Sequence, residues 1–260
     1  MASRFYPDAT GADLDLGVDL MSWFFAFDDL FDGPSGTDPA GAQALVCSTM
    51  EVLRRPARRS AVPVVRAFSD LWRRSGEGMS SSWRHRAAGH WRAYLQGYVT
   101  EAVHRHRDVM LTVEEHLRLR RETIGVLPTV DLAERIGRFE VPGPIHASSW
   151  AAEMLAIAAE VDTIHNDLCS AEKEEARGGI HNLLVILERA GTPHPRRGRG
   201  GDAPDDPFPY GAVPRARTPA ARCTHGRSSG PAPRRPPLPD LRRQPGTRSV
   251  ARIVRVRVID

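Results

Sequence analysis

Proline divides this sequence in two. Thirteen of the 21 prolines lie beyond Gly191, in stretches such as PRRGRGGDAPDDPFP (195–209) and GPAPRRPPLPD (230–240). Proline has no backbone N–H and a fixed φ, so such stretches cannot run as helix, and with few apolar residues they cannot bury a core. The last twelve residues, SVARIVRVRVID, alternate like a strand but have no obvious partner. Residues 193–260 are therefore expected to be disordered, and residues 1–192 to hold the folded domain.

Within 1–192 the apolar residues recur at helical spacing. The first fifteen or so residues are rich in Gly, Asp and Ala and are expected to be loose. Helices are predicted over 16–31, 42–55, 63–74, 82–107, 112–124, 130–139 and 147–178, with 180–190 continuing the last or forming the next. Breaks fall at DGPSGTDPAG (32–41) and SGEGMSSS (75–82), where Gly, Pro and Ser interrupt the pattern. No Val-rich alternating strand precedes residue 190, so the fold class is all-α. Trp83, Trp91 and Trp150 are expected in the core, while Phe27 fits either core or cavity wall. His165 and His181 read as surface or locally satisfied helix residues.

A net charge of +4 and a pI near 9.3 first point to nucleic acid. The location of the charge argues otherwise. Fifteen arginines and five acidic residues lie from Pro193 onward, which leaves residues 1–192 near −6. The basic stretch has few interleaved aromatics, so it offers nonspecific attraction and no specific nucleic-acid site. Three cysteines without zinc or redox spacing fit a reducing compartment. Neither a signal peptide nor a membrane span is legible, and a cytoplasmic location is expected.

The stretch FAFDDLFDG (25–33) sets Asp28, Asp29 and Asp32 among phenylalanines. Carboxylates beside buried apolar residues need compensation, and a metal ion supplies it. An amphipathic helix with a solvated acidic face is the plainer alternative. A calcium loop is excluded, because Leu30 and Pro39 stand where ligands belong.

A second oxygen-rich stretch, NDLCSAEKE (166–174), lies inside the longest predicted helix. Asn166, Ser170 and Glu174 are spaced by four, and each step turns only about 40° round the axis. Amide, hydroxyl and carboxylate then share one stripe, a hard donor set suited to Mg²⁺ or Mn²⁺. Lys173, the only lysine of the chain, stands beside them where it can hold a phosphate.

With both motifs the sequence resembles the bacterial class I terpene synthases (terpene cyclases). DDLFD is similar to their aspartate-rich motif, and NDLCSAEKE to their Asn-Ser-Glu metal triad with its lysine. LRLRRETIG (117–125) resembles their diphosphate-sensing segment, which places the sensor at Arg120 rather than Arg121. SWRHRAAGHWRAYLQGYVTEA and HNLLVIL are also similar to family segments, so the likeness covers roughly 16–190.

The resemblance implies an incomplete class I helical bundle that binds three Mg²⁺ ions, with Mn²⁺ as a substitute. Asp28 would be a direct ligand, Asp32 a further ligand and Asp29 a supporting partner. Asn166, Ser170 and Glu174 would hold the third ion, and Arg120 and Lys173 the diphosphate. Ile124 or Gly125 would turn a carbonyl toward the nascent cation, and Phe24 and Phe27 would line the pocket. The reaction implied is ionisation of an allylic prenyl diphosphate, farnesyl diphosphate first among them, and cyclisation to a sesquiterpene in a dry pocket. A homodimer is a candidate assembly, and no membrane partner is expected. A prenyl-chain-elongating transferase ranks lower, because its second motif is also aspartate-rich.

The sequence departs from the family at both ends. The aspartate motif stands close to the N-terminus. The family's Arg-Tyr pair beyond the triad has no counterpart, since Tyr210 follows Pro209 and Arg252 precedes Ile253. The reading is of a domain truncated at both ends, or a catalytically dead fragment. The tail of Arg, Pro, Gly and Ala is what a shifted frame of GC-rich DNA yields.

Overall fold

Local signals set where the helices begin. In the computed structural model, which describes residues 2–32, 34–55, 60–176 and 179–191, ten α-helices follow one another. They are α1 (Ala2–Phe5), α2 (Gly11–Asp28), α3 (Pro39–Arg54), α4 (Pro63–Ser75), α5 (Ser81–His106), α6 (Val113–Thr123), α7 (Val126–Gly137), α8 (Gly143–His146), α9 (Ser149–Ala176) and α10 (Leu183–Arg189). Asp38 caps α3 by accepting from the Ala40 amide at 3.1 Å, with Pro39 in the first turn. Ser80 Oγ accepts from the Trp83 amide and starts α5. Thr112 and Glu115 form a reciprocal capping box at α6. No strand occurs among the described residues, in keeping with the all-α reading.

The core is aromatic and lies where α2, α4 and α5 meet. Trp23 stacks on Phe27 at 4.7 Å and packs on Phe68 at 4.9 Å, and Phe68 meets Trp91 edge-on at 4.7 Å. The Trp23 indole N–H donates to the Val64 carbonyl, which satisfies its one polar atom. Phe27 is 0% exposed, so of its two readings it belongs to the core. Trp83 and Trp91 are buried as expected.

Three expectations are corrected. The first residues are ordered by long-range packing: Ala2, Tyr6 and Ala9 are buried, and Tyr6 OH donates to the Thr129 carbonyl of α7. Trp150 is 47% exposed on α9, because nothing among the described residues covers that side. The seventh helix begins at Val126, directly after Gly125 at φ +82, and Pro128 is tolerated in its first turn. The expectation of disorder for 193–260 falls outside the described residues.

Behind the core a buried polar network ties α5 to α7. Arg86 donates to Glu134 at 2.5 Å and lies 3.8 Å from Asp131, which in turn pairs with His90 at 2.7 Å. Glu134 also accepts from the Val141 amide. Its other oxygen has no hydrogen-bond partner. Burial outweighs the attraction of Arg86 and raises the Glu134 pKa to about 7.

Candidate functional site

The C-terminus of α2 delivers the aspartate motif. Asp28 is the last residue of that helix, and Asp29 and Asp32 follow in the turn. Asp28 and Asp32 open onto a cavity of about 780 Å³, whereas Asp29 is exposed and does not line it. On the same cavity stand Arg120 of α6 and Asn166 and Glu174 of α9. The two motifs, far apart in sequence, therefore share one cavity.

Asp28 sits among carboxylates. Crowding by protein, then Glu101 and Asp32, raise its pKa to about 6, while Arg120 and a hydrogen bond from Tyr98 act the other way. Tyr98 OH stands 3.3 Å from Asp28 Oδ1 and 3.0 Å from Tyr94 OH. Burial raises the pKa of both phenols, so they remain neutral hydroxyls at neutral pH.

Arg120 donates to Asn166 Oδ1 at 2.7 Å and lies 3.7 Å from Asp167. Arg121 instead bonds Glu160 on the outer side. Arg120 thus lines the cavity and Arg121 does not. Lys173 Nζ lies 3.0 Å from Asp32 Oδ2 and links the ends of the two motifs. Ser170 Oγ is buried without a hydrogen-bond partner, between Asn166 and Glu174. Glu174 accepts from Asn182 at 3.3 Å.

These oxygens fit a hard divalent cation. Ser170, one helical turn from Asn166 and from Glu174, supplies a buried acceptor without a partner, although unlike those two it is not among the residues that line the cavity. No group of three His, Cys, Asp or Glu ligands converges among the described residues. Mg²⁺ takes few carboxylates and completes its shell with water and substrate phosphate.

Sequence reasoning missed several residues. Tyr94, Tyr98 and Glu101 lie on one face of α5 at i, i+4 and i+7 and all line the cavity. That spacing was a usable signal. Asp167 was passed over between the triad residues. It is buried, bonds His116 Nε2 at 2.7 Å, and accepts from the Leu183 amide at 2.9 Å. Asn182 donates to the Asp167 carbonyl at 2.9 Å and caps α10. His165 is exposed and His181 is bonded to the Val109 carbonyl, in keeping with their reading as surface or satisfied residues; what that reading did not show is that both border the cavity. Phe24 lines the wall and Phe27 does not. Ile124 borders the cavity at the α6–α7 break, while the Gly125 carbonyl is held by Thr129 Oγ1 at 2.7 Å.

Comparison with known proteins bears on the same stretch. The model described as "Terpene synthase family 2, C-terminal metal binding" matches residues 19–192. Pentalenene synthase of Streptomyces arenae is 53% identical over 190 residues, 73% of this chain and 56% of that protein. The (-)-beta-caryophyllene synthase of Saccharothrix espanaensis is 44% identical over 191 residues, 73% of this chain and 54% of its own length. Among solved structures, linalool/nerolidol synthase of Streptomyces clavuligerus with 2-fluorogeranyl diphosphate superposes with a TM-score of 0.67 at 38% identity. It covers 74% of this chain and 64% of that one. The chain spans a little over half the length of the curated relatives it matches. On the family match, and with a helical fold like theirs, the chain belongs to the terpene synthase family.

Proposed function

We propose that this chain carries the ionisation site of a Mg²⁺-dependent terpene cyclase acting on a C15 allylic diphosphate, farnesyl diphosphate. The observation that carries this reading is the single cavity bordered by Asp28, Asp32, Asn166, Glu174 and Arg120, with Phe24, Phe31 and Tyr94 as its aromatic wall. Asp28, Asp32 and, through the turn, Asp29 would serve one group of ions. Asn166, Ser170 and Glu174 would hold another, three ions in all. Bound there, divalent cations neutralise charge on the departing diphosphate.

The chain's own residues supply the rest. Arg120 and Lys173, now engaged with Asn166 and Asp32, carry the positive charge that a diphosphate would draw to itself. Tyr98 holds Asp28 from behind. The ring faces of Phe24 and Tyr94 stabilise a carbocation as they do other cations. No general base is needed for the first step. The choice of C15 is supported by the caryophyllene relative, whose name specifies (2E,6E)-farnesyl diphosphate.

The test is a product assay. The 260-residue chain is incubated with Mg²⁺ and geranyl, farnesyl or geranylgeranyl diphosphate, and the organic extract is resolved by gas chromatography–mass spectrometry. A cyclic C15 hydrocarbon is expected, with Asp28→Asn reducing it on the order of 10²-fold or more. A folded chain giving no product from any substrate defeats the reading of an active cyclase and leaves the catalytically dead fragment.

A further inference from the structure

Asn182 is fully buried and spends its side chain in three directions. Its Oδ1 accepts from the Leu184 amide at 2.9 Å and starts α10. Its Nδ2 donates to the Asp167 carbonyl at 2.9 Å and to Glu174 Oε2 at 3.3 Å. Asp167 and Glu174 stand seven residues apart on α9, nearly in line on one face. One amide group therefore bridges two turns of that helix. The return from α9 also runs close to Glu174. The Gly179 amide donates to the Glu174 carbonyl at 2.8 Å. A Cβ at Gly179 would lie 3.1 Å from that oxygen and 3.2 Å from the Glu174 Cβ. A residue without a side chain lets the turn fold this tightly over the carboxylate-bearing residue.

A helix cap alone does not explain asparagine at 182. The cap needs an acceptor, which Ser, Thr or Asp also supplies. What asparagine adds is an NH₂ group with two donors. Both are directed at α9, one to its backbone and one to the Glu174 carboxylate. At a fully buried position an unpaired donor is costly, so the residue types at 182 and 174 suit one another. Glu174 borders the cavity and is one of the three residues that would hold an ion. A long carboxylate side chain has many rotamers, and ordering it costs entropy. A hydrogen bond to one oxygen selects its orientation and leaves lone pairs open to a cation.

We propose that Asn182 is the positioning residue of the Asn166–Ser170–Glu174 stripe, and this rests on reading that stripe as a metal site. By holding Glu174 Oε2 it aims the carboxylate for a divalent cation. By capping α10 with the same side chain, it ties occupation of the stripe to the order of the first turn of α10. Asn182 takes no part in bond making or breaking.

The test measures binding rather than turnover. Mg²⁺ with inorganic pyrophosphate is titrated calorimetrically into the 260-residue chain and into its Asn182→Asp variant. Aspartate keeps the oxygen that caps α10 and loses the donor to Glu174. Added negative charge beside the stripe would by itself tighten cation binding, so a purely electrostatic effect has the opposite sign. Affinity for Mg²⁺ is expected to fall about tenfold or more. Ser80→Ala, which removes the cap of α5, should leave it unchanged. Binding by Asn182→Asp that is equal or tighter overturns the proposal. A second measurement needs no variant. In the wild type, Mg²⁺ with pyrophosphate should slow hydrogen exchange of the Leu183 and Leu184 amides several-fold, and not that of the Trp83 amide at the start of α5. No slowing, or equal slowing at both places, also overturns it. A wild type that binds no Mg²⁺ with pyrophosphate defeats the metal reading and this proposal with it. A wild type that binds, with a variant that binds equally, defeats this proposal alone.

Discussion

Two long helices border the cavity, and they are built differently. α5 buries residues all along its length: Trp83, Ala87, Trp91, Tyr94, Leu95, Tyr98 and Ala102 are enclosed by α3, α6 and α7 and by the aromatic rings of α2 and α4. α9 buries Ala159, Thr163 and Asp167 on its inner face, while Trp150, Ile157, Val161, Ile164 and Leu168 on its outer face are exposed among the described residues. The α2–α5 wall is therefore preorganised by packing, which locks Phe24, Asp28 and Tyr98 in place. The α9 wall is held by a few polar contacts. One half of the site is fixed by the core and the other by hydrogen bonds.

Mutations can break or sharpen this contrast. The largest effect is expected in the packed half. Phe68→Ala empties a fully buried ring site between Trp23 and Trp91 and should cost about 3–5 kcal/mol in denaturant unfolding. Next comes the polar anchor of α9. Asp167→Ala strands buried His116 and frees the start of α10, with an expected loss of about 3 kcal/mol in the same measurement. A loss as large as that of Phe68→Ala would show that the two halves are equally cooperative.

Smaller and pH-dependent is the contribution of Glu134. Its folded pKa, about 7, lies above the ordinary 4.5. The native state therefore holds a proton that the unfolded chain releases between those values. Stability from this group is highest below about 4.5 and falls as pH rises toward 7. Melting curves of wild type and Glu134→Gln across this window should converge at low pH and separate as pH rises, with the variant losing less. Parallel curves would mean that Arg86 keeps the carboxylate ionised. The smallest effect is expected on the outer face of α9: Ile164→Ala, at an exposed position, should change stability by no more than about 0.5 kcal/mol. A larger loss would mean that Ile164 is already covered.

What could be read in advance followed the range of the interaction. Helix α6 was legible because its cap is local: Thr112 and Glu115 are three residues apart. The stripe of Asn166, Ser170 and Glu174 was legible because helical geometry alone puts three residues on one side. The order of the N-terminus was not, since Tyr6 is tied to Thr129, 123 residues away. Nor was the exposure of Trp150, for an apolar residue at helical spacing carries no mark of whether its partner is present. The inward turn of Arg120 and outward turn of Arg121 followed from a family likeness. In physical terms it depends on Asn166 and Glu160, which only the assembled fold brings near. Tyr98 was legible only as part of the α5 stripe with Tyr94 and Glu101; its bond to Asp28, 70 residues away, was not.

The link between Lys173 and Asp32 has a practical consequence. Lys173 is the sole lysine in 260 residues, and its ammonium stands at the point where the two motifs meet, half open to solvent. An amine-directed label therefore reads one side chain besides the N-terminus. Its rate of modification, followed by mass spectrometry, would report on the pair it makes with Asp32, a residue that borders the cavity. Added salt should speed the labelling by loosening the pair, and diphosphate with Mg²⁺ should slow it. The molecule carries a built-in chemical probe of the junction between its two motifs, at a position where no engineered tag is required.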